Sequence, residues 1–133
     1  MNKDELLAKA FEAMKNAYAP YSHYYVGAAV LTKDGEYTPG ANIENASYGA
    51  TNCGERTAIF AAYAKGYRKD DIEALAIVTS GDRIGTPCGI CRQVLSELLN
   101  KDTPIILSNG KDEMITNIEE LLPYSFGEED LNK

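Results

Sequence analysis

The middle of the chain contains an unbroken apolar stretch, Ala74-Leu75-Ala76-Ile77-Val78. An apolar run without polar alternation is typical of a strand that helices cover on both faces of its sheet. A second such stretch, Pro104-Ile105-Ile106-Leu107, follows after a segment with a helical pattern that begins near Pro87 and ends near Leu99. This order of strand, helix and strand predicts an α/β protein.

The elements on either side continue the alternation. We predict a first helix over residues 4–18 with Asn2 as its N-cap, and then a hairpin with strands at 25–31 and from about residue 36. Pro39-Gly40 should interrupt the second of these strands, which therefore lies at an edge or carries a bulge. The remaining predicted elements are a helix from 52 to 66, a turn at Asn109-Gly110, a strand at 113–115 and a short helix ending near Leu122. Together they predict a three-layer α/β/α sandwich with a mixed five-stranded sheet.

Length and composition indicate one globular domain, residues 1–133. The contents of 44% hydrophobic and 25% charged residues are typical of such domains. A formal net charge of -7 argues against a general nucleic-acid-binding protein, which needs a basic face. No apolar run approaches the roughly 20 residues that span a bilayer, and the charged N-terminus does not resemble a signal peptide. We therefore expect a cytoplasmic protein without membrane or nucleic-acid partners.

All three cysteines lie in two segments, Cys53-Gly54-Glu55-Arg56 and Pro87-Cys88-Gly89-Ile90-Cys91, and both segments fall at predicted helix starts. Helix N-termini favour thiolates, and the spacing of Cys88 and Cys91 lets two sulfurs reach one metal ion. If the two helices lie side by side, Cys53 supplies a third ligand. Three sulfurs leave one position of a tetrahedral zinc site open for water, as catalytic sites do.

Two further residues of the first cysteine segment suit this chemistry. Arg56 lies one helical turn after Cys53 and would compensate the charge of the thiolates by donating hydrogen bonds. Glu55 lies near the expected metal and suits the transfer of protons. The simpler alternatives are a surface salt bridge for Arg56 and a favourable helix-dipole contact for Glu55.

The motif Cys53-x-Glu55 with Pro87-Cys88-x-x-Cys91 resembles the zinc-dependent nucleoside deaminases. The stretches at 20–22, 26–29 and 42–49 are similar to the small homotetrameric cytidine deaminases, and the resemblance covers nearly the whole chain. It implies a hydrolase of pyrimidine salvage that converts cytidine and deoxycytidine to uridine and deoxyuridine and releases ammonia. It also implies one zinc ion per chain, a free nucleoside as substrate, and a homotetramer with active sites shared between subunits.

The resemblance assigns roles to residues around the metal. Cys53, Cys88 and Cys91 would hold zinc. Glu55 would take a proton from the attacking water and deliver protons to N3 of the base and to the leaving ammonia. Gly54, where the family commonly has alanine, would offer its backbone N–H to the carbonyl of the base.

The resemblance also assigns residues to the sugar and to neighbouring subunits. Asn42 and Glu44 would bind the ribose hydroxyls, and their spacing at the exit of a strand directs both side chains to one face. Ala46 and Tyr48 would contact the site of a neighbouring subunit. Phe126 would stack on the base bound by another subunit.

Three positions depart from the pattern of the family. Tyr24 occupies the position where the family typically has phenylalanine beside the substrate, and it would add a hydroxyl to a pocket expected to be apolar. Tyr25 replaces a common proline. Gly54 in place of alanine weakens the start of its helix by up to about 1 kcal/mol.

Several alternatives remain at this point. His23 would close a structural zinc site if it joined the cysteines as a fourth ligand. Asn42 and Glu44 would serve only the backbone if they capped the following helix or satisfied loop groups. The same chemistry would also suit another amino-heterocycle, such as an aminonucleoside antibiotic or guanine. A polynucleotide-editing enzyme is disfavoured, because the acidic chain offers no basic groove for the phosphates of a nucleic acid.

Overall fold

A five-stranded sheet forms the centre of the protein, in a computed structural model that describes residues 1–131. Its strands are β1 (Val26–Thr32), β2 (Tyr37–Ala41), β3 (Ile72–Thr79), β4 (Ile105–Ser108) and β5 (Glu113–Thr116). They lie in the order β2-β1-β3-β4-β5. The single domain predicted over 1–133 includes residues 132 and 133, which lie outside the described residues.

The apolar stretch at 74–78 lies in β3, the central strand, and all of its residues are buried. β3 pairs in parallel with β4, where Leu75 faces Ile105, and every other pairing in the sheet is antiparallel. Two parallel neighbours need a crossover, which the helical segment between them provides. The mixed sheet is therefore as the sequence predicts.

Helices cover the sheet on both faces. α1 (Lys3–Met14) packs on one face, where Leu6 and Ala10 join a cluster with Ala76. α2 (Gly54–Ala64), α3 (Gly89–Leu98) and α4 (Ile118–Leu121) pack on the other face, where Ile59 and Leu95 belong to a second cluster. The three-layer sandwich is confirmed. No helix formed by residues 1–131 is both long and apolar enough to cross a bilayer.

The first helix begins as predicted but ends earlier. The Asn2 side chain accepts a hydrogen bond from the Glu5 N–H at 3.0 Å, which makes it the N-cap. The helix ends at Met14 and not at residue 18, because Tyr18 leaves the helical path to pair with the segment that follows β2. There the Tyr18 N–H donates to the carbonyl of Asn42 at 2.9 Å.

The prediction that Pro39-Gly40 interrupts the second strand is wrong, although its edge position is confirmed. β2 runs through both residues, which pair with Ala29 and Ala28 of β1, and α2 crosses the strand at Gly40. A Cβ at Gly40 would lie 2.7 Å from the carbonyl oxygen of Gly54 and 2.8 Å from the Cα of Ala58. The missing side chain therefore brings the first turns of α2 directly onto the sheet.

Candidate active site

The three cysteines lie together at the starts of two helices. Cys53 is the N-cap of α2, Cys88 is the N-cap of α3, and Cys91 lies in the first turn of α3. Their sulfur atoms all lie within 4.8 Å of one another, and the Sγ atoms of Cys53 and Cys88 are 4.0 Å apart. Zinc–sulfur bonds of about 2.3 Å in a tetrahedron place sulfurs about 3.8 Å apart. The three thiols therefore fit a zinc ion.

The sheet explains why residues distant in sequence meet here. Val26 at the start of β1 pairs with Thr79 at the end of β3. α2 begins over Val26, because a Cβ on Gly54 would lie only 3.0 Å from a Val26 methyl group. The chain that leaves β3 reaches Cys88 through residues 80–87. Both helix starts therefore lie at the same end of the sheet.

The cysteines differ in their readiness to lose a proton. The Cys91 thiol lies within 4.8 Å of the sulfur of Cys53, and Arg56 Nη2 donates a hydrogen bond to the same sulfur at 3.4 Å. These contacts hold the pKa of Cys53 well below its usual range, although burial opposes them. The neighbouring Cys53 sulfur and burial raise the pKa of the Cys91 thiol. The Arg56 guanidinium therefore favours a thiolate at Cys53, and within residues 1–131 it forms no salt bridge with an acidic side chain.

Glu55 is a buried acid beside the cysteines. Its side chain lies in the first turn of α2, the residue is only 4% exposed, and its Oε1 has no hydrogen-bond partner among residues 1–131. Burial, with the neighbouring Cys53 thiolate, raises the pKa of Glu55 to about 7. An unsatisfied buried oxygen is costly and rare in native proteins. This acid is thus poised to exchange protons near neutral pH with a group that enters the site.

Asn42 and Glu44 both bind the segment that precedes β1. Asn42 Oδ1 accepts from the N–H of Val26 at 2.9 Å, and Asn42 Nδ2 donates to the carbonyl of Tyr24 at 2.8 Å. Glu44 Oε1 accepts from the N–H groups of residues 21 and 22 at 3.0 and 3.1 Å. Both side chains therefore reach one segment of the chain, residues 21–26. Part of their hydrogen-bonding capacity serves the backbone, which was one of the alternatives.

Tyr24 packs against the loop that leads to Cys88. A Cβ on Gly81 would lie 3.2 Å from Cε1 of the Tyr24 ring, and a Cβ on Gly85 would overlap the Tyr24 hydroxyl. The residue is 40% exposed and lines a surface cavity with residues 81–86. The hydroxyl that distinguishes this tyrosine from phenylalanine therefore lies against Gly85.

Three of the predicted site residues lie on the surface of the single chain. Ala46, Tyr48 and Phe126 are exposed, and Tyr48 packs edge-on against Tyr21 with 6.0 Å between the ring centroids. The carbonyl of Phe126 accepts a hydrogen bond from Gln93 Nε2 at 2.9 Å, while the residue remains 58% exposed. Their roles toward a neighbouring subunit stay predictions.

His23 does not join the cysteines. Within residues 1–131 the group of side chains that could hold a metal consists of Cys53, Cys88 and Cys91. His23 has a positive φ of 55° in the turn before β1. The alternative in which His23 closes the site as a fourth ligand is therefore wrong within residues 1–131.

Arg92 is not among the residues that the sequence predicts for the site. Its guanidinium contacts the backbone immediately before Cys88. The available signal was its spacing, since Arg92 lies four residues after Cys88 and shares its helical face.

Comparison with known proteins agrees with this geometry. Residues 1–107 match the family model of the cytidine and deoxycytidylate deaminase zinc-binding region. The chain is 51% identical to a cytidine deaminase of Halalkalibacterium halodurans, with 99% of each chain covered. It is 34% identical to a blasticidin-S deaminase of Bacillus cereus, with 92% of this chain and 90% of that protein covered.

A solved structure also resembles this chain. The cytidine deaminase from Burkholderia pseudomallei matches with a TM-score of 0.91 and 44% identity, over 95% of this chain and 100% of that one. The chain belongs to the zinc-dependent cytidine deaminase family.

Proposed function

We propose that this chain is a cytidine deaminase, a hydrolase that converts cytidine and deoxycytidine to uridine and deoxyuridine. One water is consumed and one ammonia is released in each turnover. The observation that carries the proposal is the buried Glu55, whose Oε1 lacks a partner among residues 1–131 and which adjoins the three-cysteine cluster. An acid of this kind beside a metal centre supports hydrolysis with proton transfer.

Cys53, Cys88 and Cys91 would hold the zinc ion. When bound, zinc supplies a Lewis acid that lowers the pKa of water from 15.7 toward about 7. Three thiolates would outweigh the charge of the metal and weaken that effect. Arg56 offsets them, because its guanidinium donates to the sulfur of Cys53.

Glu55 moves the protons of the reaction. Its carboxylate takes a proton from the attacking water and delivers it to N3 of the cytosine ring as the C4–O bond forms. A second proton then passes through Glu55 to the amino group, and the C4–N bond breaks to release ammonia. The pKa of Glu55, raised to about 7, suits both the acceptance and the donation of a proton at neutral pH.

Polar groups around the cysteines bind the nucleoside. Asn42 Nδ2 uses one of its two N–H groups on Tyr24, so the other is available to a ribose hydroxyl. The Glu44 carboxylate has further lone pairs for a second hydroxyl. The N–H of Gly54, at the first position of α2, has no intrahelical partner and donates to the carbonyl of the base. These contacts favour a nucleoside over the free base.

Neighbouring subunits complete the pocket in a homotetramer. This part of the proposal is supported by the exposure of Ala46, Tyr48 and Phe126, which the resemblance assigns to contacts between subunits. Tyr48, for example, is 75% exposed in the single chain. A location in the cytoplasm and a role in pyrimidine salvage belong to the same proposal.

An ultraviolet assay with cytidine, deoxycytidine and free cytosine tests the function. We expect turnover of both nucleosides and none of the free base. The matched variant Glu55→Gln keeps the size of the side chain but cannot shuttle protons, so turnover should fall by roughly 10²–10⁴-fold while zinc is retained. Near-normal turnover by the variant would exclude the proton-transfer role.

A second candidate function is the deamination of an aminonucleoside antibiotic. The relative in Bacillus cereus is named blasticidin-S deaminase, and it covers most of the chain. Adding blasticidin S to the same assay decides between the two. A kcat/KM for blasticidin S above that for cytidine would replace the first proposal.

A further inference from the structure

Arg92 on α3 makes three hydrogen bonds with one guanidinium group. Nε donates to the carbonyl of Pro87 at 2.7 Å, and Nη2 donates to the hydroxyl of Thr86 at 3.0 Å. Nη1 donates to the carbonyl of Leu121 at 2.7 Å. The side chain therefore joins the loop before Cys88 to the end of α4.

The contact with Pro87 bears directly on a metal ligand. The carbonyl of Pro87 belongs to the peptide bond that enters Cys88, so Arg92 fixes the plane of that peptide. Cys88 is exposed, and its sulfur makes no capping hydrogen bond to α3. The position of the Cys88 sulfur therefore depends on the backbone that Arg92 holds, together with the 4.0 Å contact with the Cys53 sulfur.

The contact with Leu121 fixes the other side of the guanidinium. Leu121 is the last residue of α4, where helix carbonyls lack intrahelical partners and attract a cation. The next residue of α3, Gln93, donates to the carbonyl of Phe126. The segment after α4 and the loop before Cys88 are thus attached to the same turn of α3.

We propose that Arg92 is a positioning residue of the metal centre, which orients the Cys88 sulfur before zinc arrives. The proposal rests on the zinc site of the proposed function and adds to it a residue that contacts neither metal nor substrate. Arginine suits the task, because its planar group directs several N–H donors along fixed lines. The lysine ammonium has no such fork, so lysine cannot replace the three contacts together.

The test measures zinc affinity in Arg92→Lys and Arg92→Gln by competition with a chromophoric chelator. We expect the zinc Kd to rise by roughly 10–100-fold, the usual effect of removing a residue that orients a ligand. Thr86→Val removes only one acceptor and should raise the Kd less. If Arg92→Gln does not fold, Arg92→Lys and Thr86→Val carry the test.

The cobalt-substituted protein supplies a second readout. The thiolate-to-cobalt absorption reports how the sulfurs surround the ion, so it should weaken or shift in the Arg92 variants. A spectrum and a zinc Kd equal to those of the wild type would overturn the proposal, even if the melting temperature fell.

Arg68→Gln is the matched control. Arg68 Nη1 also donates to backbone carbonyls, those of Tyr63 and Tyr67 at 3.2 and 2.7 Å, at the far end of α2. Its loss should lower stability and leave the zinc Kd and the cobalt spectrum unchanged. An equal loss of zinc affinity in Arg68→Gln would show a general effect of stability and refute the specific role. A wild-type chain that bound no zinc would instead refute the proposed function.

Discussion

The substitution Gly40→Ala tests how closely the active site depends on the contact between α2 and β2. The new Cβ would lie 2.7 Å from the carbonyl oxygen of Gly54 and 2.8 Å from the Cα of Ala58. Both atoms belong to the backbone of α2, so no side chain can rotate away to relieve the overlap. The helix itself must move outward by about 0.7–1 Å to restore ordinary contacts.

This shift has a cost in stability and a larger cost in activity. Overpacking of this kind destabilises by about 2 kcal/mol, which lowers the melting temperature by roughly 6–10 °C in a chain of this size. The first turn of α2 carries Glu55, and Cys53 caps it. A displacement of about 1 Å in a catalytic group lowers kcat/KM by about 100-fold.

Thermal unfolding and the ultraviolet assay on the folded protein measure the two effects separately. Gly49→Ala is the control for stability, because no atom lies within 4 Å of a Cβ added there and its φ is not in the left-handed region. A Gly40→Ala protein that melted within about 2 °C of the wild type would refute the reasoning. A kcat/KM of Gly40→Ala within about threefold of the wild type would refute the expected effect of the helix displacement on catalysis.

Three other substitutions separate the roles in the site. Cys88→Ala should lose both zinc and activity while the circular dichroism spectrum stays that of a folded protein, and metal analysis checks this. Glu44→Ala should raise KM for cytidine by roughly 10–100-fold with a smaller change in kcat, because a hydrogen bond to a charged group contributes about 1.5–3 kcal/mol. Steady-state kinetics measures KM and kcat separately. An unchanged KM would remove Glu44 from the ribose site. His23→Ala should keep its zinc and its activity, and loss of zinc would return His23 to the ligand set.

The layers and the metal centre could be predicted because local patterns specify them. The apolar run at 74–78 predicts a strand covered on both faces, and β3 is such a strand. The spacing of Cys88 and Cys91 places two sulfurs on one helical turn regardless of the rest of the fold. The approach of Cys53 to the other two cysteines depends on the tertiary structure. The alternation of strands and helices predicts that α2 and α3 lie side by side, which brings Cys53 to them.

The predictions that failed depend on contacts between distant segments. The end of α1 is set by the pairing of Tyr18 with Ile43, which no local helical pattern reveals. The pair Pro39-Gly40 predicts a break in the strand, whereas Gly40 provides room for the backbone of α2. The contact of Arg92 with the carbonyl of Leu121 likewise joins residues 29 apart in the sequence.

The hydrogen bonds of Asn42 and Glu44 have a consequence for the thermodynamics of binding. Both side chains are already fixed by the backbone of residues 21–26 in the free chain. A side chain that becomes immobilised only when a ligand binds loses about 0.5–1.5 kcal/mol of rotamer entropy. Here that loss occurs when the chain folds. A ligand at these two side chains therefore meets an ordered surface, and little of its interaction energy is offset by ordering the protein.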